Sequence, residues 1–321
     1  MRFRHSEADK GPSGACYGDV MEKRIDYLAA GLSPAIQRTL SFDSFRTGAV
    51  NRSREFRVDA SGKCINVCRV LQQSGAEAAC ITVAGTDNYE EFTALCRRDG
   101  LNVEAVRTGG RTRFCTTLLD ESSAGFTEIV APEPTVIRAE EEAAFRERFN
   151  AVLPLVDRAL IISGSRLAGF SDGIIPDMLR AAKERGLIVV ADYRGADLKN
   201  SFISGRLRPD CVKINEEEFR ETFGGSQSLD ADLRRVSEQY GCAVVISRGE
   251  QSTLAADGGR LSEIESERLQ PVNPIGCGDS MTAGIARGLA EGMSLEAAVR
   301  TGRDWASKNV MNIKPGWILP G

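Results

Sequence analysis

The chain has 321 residues, 42% hydrophobic and 27% charged, with a net charge of −4. This suits one large α/β domain or two smaller ones with a sizeable core, and gives no reason to expect nucleic acid or a membrane surface as partner. No apolar run approaches the ~20 residues that span a bilayer. The only histidine is His5, so Ser-His-Asp and Cys-His catalysis and His-ligated metal sites are excluded, and any general base has to be Asp, Glu, Lys or Tyr.

Residues 1–20 are polar, contain glycine and proline, and lack the apolar stretch of a signal peptide. They are expected to form a disordered extension, or to precede a true start at Met21. The nine cysteines are scattered, with no CxxC pair. That argues against a disulfide framework or a zinc site, and for a cytoplasmic chain. Cys64 and Cys68, one helical turn apart, are expected to be small buried hydrophobes.

A first strand is expected at 25–31 (IDYLAAG). Residues 38–59 alternate apolar and polar side chains, are rich in arginine, and read as exposed strands. A helix follows over 62–74, with Ile65, Val67, Cys68, Val70 and Leu71 as its apolar stripe and Gly75 as its stop. Next come a strand at 78–84 and a helix at 90–98, ended by Gly100. Residues 111–130 predict a hairpin, and 139–153 a charged helix. Beyond it, strands at 158–163, 187–192, 211–215, 242–247 and 253–257 are interleaved with helices at 172–185 and 216–223. Helices starting at Asp279 and Ser294 close the chain. Continuously apolar strands alternating with helices imply an α/β fold with a mostly parallel sheet covered on both faces. The polar segments 38–59 and 111–130 fall outside that rhythm. They are expected to pair into a small separate sheet, a lid over the carboxyl ends of the core strands, where such folds bind ligands.

The stretch Asn273-Pro274-Ile275-Gly276-Cys277-Gly278-Asp279-Ser280 carries the chemistry. Its glycines allow bare backbone N–H groups to face an anion, and the helix behind adds positive partial charge. A carboxylate at that point repels a bound phosphate unless it takes a proton from whatever attacks the phosphate. The layout is that of phosphoryl transfer and makes the chain a kinase candidate. A dinucleotide G-x-G-x-x-G fails because Met281 occupies the third glycine position, and a P-loop fails because Gly62-Lys63 is followed by Cys64. The plain structural alternative is a turn with Asp279 as helix N-cap.

With its context, this stretch resembles the ribokinase-like, PfkB-type sugar kinases, and within them the tagatose-6-phosphate kinase and 1-phosphofructokinase branch. The anchors are VNPIGCGDSMTAG (272–284) and ASGKCINVCRVL (60–71), and the likeness extends over residues 25–316. It implies a kinase domain over residues 21–321, a three-layer α/β/α sandwich with a β lid formed by about 38–59 and 111–130, and an enzyme using ATP and Mg²⁺ to phosphorylate a small-molecule sugar phosphate. It implies Asp279 as general base and the N–H groups of Gly276, Cys277 and Gly278 as the anion hole. Gln37 stands where the family commonly has a sugar-gripping Asp; an amide still hydrogen-bonds hydroxyls but carries no charge. Gly62, Lys63 and Asn66 match a substrate-binding helix start, with Ser61 and Cys64 in place of glycines.

Arg52 and Arg113, in the two lid segments, stand where the branch holds the substrate phosphate, which suits the guanidinium fork. Ser163, after a buried strand, is implied by the resemblance as a further phosphate contact. Lys213-Ile214-Asn215-Glu216-Glu217-Glu218 resembles the motif in which Asn215 and Glu218 order Mg²⁺ through water, the alternative being a helix start with an acidic first turn. Lys213, Asn215, Ser247, Gly249 and Asn309 are implied on the nucleotide side. Exposed lid edges predict a homodimer through the lid.

Overall fold

The strands and helices follow the local patterning of the chain. The computed structural model describes residues 23–123, 125–132, 135–202, 207–226, 228–267 and 269–320. The expected extension at 1–20 lies outside these residues. The strands are β1 (Ile25–Ala30), β2 (Ala35–Phe42), β3 (Glu55–Ser61), β4 (Ala78–Gly85), β5 (Val103–Thr108), β6 (Arg113–Asp120), β7 (Gly125–Val130), β8 (Val156–Ser163), β9 (Ile188–Asp192), β10 (Cys211–Asn215), β11 (Ala243–Ser247), β12 (Thr253–Asp257) and β13 (Arg260–Ile264). The α-helices are α1 (Lys63–Gln73), α2 (Tyr89–Arg98), α3 (Ala139–Val152), α4 (Ile174–Glu184), α5 (Gly195–Asn200), α6 (Glu216–Phe223), α7 (Leu229–Tyr240), α8 (Cys277–Ala290) and α9 (Leu295–Val310).

Nine strands form one sheet in the order β13-β12-β11-β10-β9-β8-β1-β4-β5. All neighbours from β11 to β5 run parallel, and only the β11–β12 and β12–β13 pairings are antiparallel. Alternate residues of the central strands feed two separate cores. Leu28, Ala30, Leu160, Ile162, Val189 and Ala191 pack against α3 to α7, while Tyr27, Ala29, Ala159, Ile161 and Val190 pack against α1, α2, α8 and α9. A strand buried on both faces has no polar alternation, which is why these segments read as unbroken apolar runs. The result is the expected three-layer arrangement. It places the ends of β8, β9 and β10, with Ser163, Asp192 and Asn215, along one edge of the sheet.

The two polar segments form a second sheet in the order β3-β2-β6-β7. One expectation is corrected: β2 is mostly buried, including Gln37, Thr39 and Ser41. It lies between β3 and β6, so its short polar side chains are covered by neighbours on both sides. Exposure concentrates instead on β7 and the start of β3. Four elements go beyond the expected set. β5 and β13 end the large sheet and bury too little to show a continuous apolar run. α5 is short. α7 is announced only by Ser228, whose hydroxyl accepts from Ala231 N at 3.3 Å. The eight described cysteines are free, and Cys64 and Cys68 are buried as expected. Among the described residues no helix is long and apolar enough to cross a membrane.

Candidate active site

The turn before α8 is held from both ends. Asn273 is fully buried; its Oδ1 accepts from Ile275 N at 3.0 Å and its Nδ2 donates to the Ile313 carbonyl at 2.8 Å. Gly276 is the N-cap with φ +86°, a conformation that disfavours any side chain, and a Cβ there would lie 2.5 Å from Gly316 N. Helix α8 therefore starts at Cys277. Asp279 sits in its first turn, inside the helix, and is not the cap. That overturns the plain structural alternative. Its carboxylate accepts from Asn66 Nδ2 at 2.7 Å, across 213 residues of sequence. The Cys277 N–H, expected in the anion hole, is engaged by the Pro274 carbonyl at 3.2 Å. The amides that follow it are the ones a helix start leaves without an intrahelical acceptor.

Asp279 is 7% exposed, and its pKa is pushed up to about 6. Burial is the main cause and the Asp192 carboxylate adds to it, against the opposing pull of Lys63, Asn66 and Lys213. Asp192 was not among the candidates from sequence, yet it is the hub of the site. It is fully buried at the end of β9 and accepts from Lys63 Nζ at 2.8 Å, Thr282 Oγ1 at 2.9 Å and Ser163 Oγ at 3.3 Å. Lys213 Nζ lies 3.9 Å away. Burial alone would raise the Asp192 pKa; Lys213 and Lys63 outweigh it and hold the carboxylate low. Burial likewise works against the Lys63 ammonium, but Asp192, Glu218 and Asp279 push its pKa up. The only sequence signal for Asp192 is an acid closing an apolar strand.

The structure thus brings Lys63, Asn66, Ser163, Lys213, Glu218 and Asp279 together. Lys213 is 4% exposed, and its Nζ is so near the turn that a Cβ on Gly278 would meet it at 2.8 Å. Other candidates are placed differently. Gly62 caps α1 at φ +107° with Pro34 Cα 2.9 Å from its Cβ direction, so Pro34 and the backbone explain that glycine without a ligand. Gln37 donates to Thr117 Oγ1 at 2.9 Å and to the Arg38 carbonyl, inside the small sheet. Arg52 is exposed in the loop between β2 and β3, which Asn51 ties together through Arg46 and Ala49. Arg113, half-buried, opens β6 opposite Ala35. Asn309 is corrected from a nucleotide contact to a brace behind the turn. It is fully buried, accepting from Gly316 N at 2.6 Å and donating to the Ile275 carbonyl and Cys277 Sγ. Burial pushes that thiol up to about 11.

A cavity of about 330 Å³ opens beside the turn. Cys277, Gly278, Ser247 and Gly249 line it at the polar end, and Leu269, Val272, Ala306 and Val310 supply apolar wall; Gly125 and Phe126 of β7 reach it from the small sheet. Such a pocket fits a flat heterocycle with phosphates directed at a helix start. The donor set for a metal is sparse. Asn215 and Glu218 form a capping box, Asn215 Oδ1 accepting from Glu218 N at 2.8 Å and Glu218 Oε2 from Asn215 N at 3.0 Å. The helix-start alternative is therefore realised. Glu218 Oε1 lies 3.5 Å from Lys63 Nζ. No group of three or more acidic, cysteine or histidine ligands exists among the described residues. This fits an ion held by phosphate and water with Glu218 at most in its outer shell, and does not fit a protein-built cage.

Known proteins resemble this chain over most of its length. A tagatose-6-phosphate kinase of Staphylococcus epidermidis is 25% identical over 298 residues, covering 91% of this chain and 94% of that protein. Phosphofructokinase-2 of Escherichia coli, solved with fructose-6-phosphate, superposes with a TM-score of 0.77 at 23% identity, covering 90% of this chain and 94% of that one. A Thermotoga maritima protein described as a possible 1-phosphofructokinase gives 0.81 at 23% identity, covering 90% and 92%. These solved structures establish the ribokinase-like fold. The model of the pfkB family carbohydrate kinases matches residues 31–316, and the chain belongs to that family.

Proposed function

We propose that the chain transfers the γ-phosphoryl group of ATP to a hydroxyl of a ketohexose phosphate such as tagatose 6-phosphate, fructose 1-phosphate or fructose 6-phosphate. The carrying observation is Asp279: a buried carboxylate with its pKa pushed up to about 6, held by Asn66 beside a helix-start turn that borders the cavity. Such a group is ionised at neutral pH yet close enough to it to accept a proton. Asp279 removes the proton of the acceptor hydroxyl. That oxygen bonds to the γ-phosphorus while the bond from phosphorus to the β,γ-bridging oxygen breaks, and ADP leaves. The Gly276 and Gly278 amides at the helix start and Lys213 neutralise the charge on the transferring group, and Lys63 orients the acceptor. Bound Mg²⁺ would add neutralisation of the polyphosphate. Phe126 and Gly125 reach the cavity, in keeping with a small sheet that excludes water.

A panel of sugars and sugar phosphates with ATP and Mg²⁺ tests the reading; turnover of none of them defeats it. Arg113→Ala is expected to raise KM for the sugar phosphate about 10–100-fold with KM for ATP unchanged, the loss of a two-bond phosphate contact. Equal KM in the variant, or turnover only of unphosphorylated sugars, favours a kinase of an unphosphorylated sugar or a nucleoside, the reading that Gln37 keeps open.

A homodimer through the small sheet is part of the proposal. Phe56 is 57% and Ile129 54% exposed, and their strand registers put both on one face with Leu40 and Leu118. Phe56→Asp with Ile129→Asp is expected to convert a dimer to a monomer in sedimentation equilibrium. A wild-type monomer at all concentrations is the contrary result.

A further inference from the structure

Arg69 is 1% exposed and sits one helical turn after Asn66 on α1. A buried guanidinium needs its donors satisfied; here Nη1 and Nη2 reach four segments, while Nε has no partner among the described residues. Its Nη1 donates to Asn66 Oδ1 at 2.8 Å and to the Pro315 carbonyl at 3.1 Å. Its Nη2 donates to the Ala60 carbonyl at 2.5 Å and to Asp99 Oδ2 at 3.0 Å. Asp99 also receives Lys314 Nζ at 2.7 Å, and its pKa is held low because Arg69 and Lys314 outweigh its burial.

The contact with Asn66 has a chemical consequence. An amide side chain has an accepting end and a donating end, and a half-turn exchanges them. The guanidinium can be met only by Oδ1, which fixes Nδ2 toward Asp279 at 2.7 Å. The reversed amide would put its NH₂ against the guanidinium and its oxygen against the carboxylate. If Asp279 is protonated, its O–H would favour that reversed amide, and Arg69 opposes the reversal. Lys63, Lys213 and Asp192 are the charged groups acting on the Asp279 carboxylate. Arg69 acts on it only through Asn66.

We infer that Arg69 is a positioning residue for the base: it locks the Asn66 amide as a donor, keeping Asp279 ionised and oriented at neutral pH. This rests on the reading of Asp279 as base. The same guanidinium joins β3, through Ala60, and the C-terminal loop, through Pro315, to the base. The orientation of the amide therefore depends on both segments being docked.

The test is the pH profile of kcat/KM for the acceptor at saturating ATP. In Arg69→Met the hydrogen bond that lowers the Asp279 pKa is released. The acid limb is expected to move up by about half a unit or more, kcat at pH 7 to fall about 10–100-fold, and KM for ATP to stay within about twofold. Asn66→Ala is expected to give the same upward shift, and the double variant no further one. Arg69→Gln, whose amide can meet either end of the Asn66 amide, carries the same measurement if Arg69→Met does not fold. An unmoved limb in a folded Arg69 variant, or additive shifts in the double variant, overturns the inference. Asp279→Asn separates the two ideas. If it is inactive while the Arg69 limb is unmoved, only the role of Arg69 is lost; if it keeps wild-type activity, the base reading falls and this inference with it.

Discussion

Asp279→Asn is expected to lower kcat by about 10³–10⁴-fold, the upper range for a positioned general base, while ATP binding stays unchanged. Asparagine fills the same volume and still accepts from Asn66 Nδ2, so the turn and α8 keep their geometry. What is lost is the ability to take a proton. The same substitution is expected to make the folded protein more stable. The Asp279 pKa is raised from 3.8 to about 6, about two units, or roughly 3 kcal/mol. In the folded state the carboxyl holds its proton to higher pH than in the unfolded chain. Stability is therefore greatest below about pH 4 and falls as the pH rises through the folded value of about 6, above which the burial cost of the anion is complete. A neutral amide never incurs that cost. Denaturant melts of both proteins at pH 5 and pH 8 check this: the gain at pH 8 should be about twice the gain at pH 5. A variant that is inactive and also less stable at pH 8 would show that the buried anion is not the source of the shift. In the wild type the acid limb of kcat/KM should lie near pH 6; a limb near 4 counts against Asp279 as the base.

Asp192→Ala has the second large effect. The substitution leaves Lys213, 4% exposed, and the half-buried Lys63 without their common anion, and removes the acceptor of Thr282 and Ser163. Removing one partner of a buried ion pair costs about 3–5 kcal/mol, which for a chain of this size corresponds to roughly 4–8 °C in Tm. Asp192→Asn keeps one accepting oxygen for these donors and should cost less. The folded pKa of Asp192 is depressed, so its contribution is present above the unfolded carboxyl pKa and is lost as pH falls through the still lower folded value. The difference from wild type should persist from pH 5 to 8. In whichever variant folds, the acid limb should move below 6, because the second largest cause of the raised Asp279 pKa has gone. Thermal melts and pH–rate profiles read both effects. An Asp192→Ala protein as stable as wild type would mean that Lys213 is not held by this pair.

Much of the architecture was legible because it is written locally. The unbroken apolar runs at β1, β4, β8, β9, β10 and β11 are what a doubly covered sheet requires, and helix starts carry their own caps. The strands that went unread, β5 and β13, are the two edges of the sheet, where one-sided burial weakens the pattern. β2 read as exposed because threonine and serine look like surface in sequence, while in the small sheet they are covered by the strands on either side. In the site, Lys63, Asn66, Lys213 and Asp279, put forward by the resemblance to the family's motifs, lie close together. Asn309 did not face the cavity, because its amide completes the backbone of the turn and of the C-terminal loop. Asn215 and Glu218 had a structural task available within four residues of chain, and they take it.

The sequence by itself determined the class of fold and the class of chemistry. Both follow from residue type and short spacing: glycines and a carboxylate ahead of a helix, apolar strands alternating with helices, and no histidine outside the first residues. Only the tertiary structure decided which charges meet. Asp192 lies 129 residues from Lys63 and 90 from Thr282, and Arg69 reaches Asn66, Ala60, Asp99 and Pro315 at once. Coulomb and desolvation energies depend on distance and burial in space, neither of which is a property of neighbouring residues. The raised pKa of Asp279 is therefore an outcome of packing, decided where α1, β9 and α8 come together.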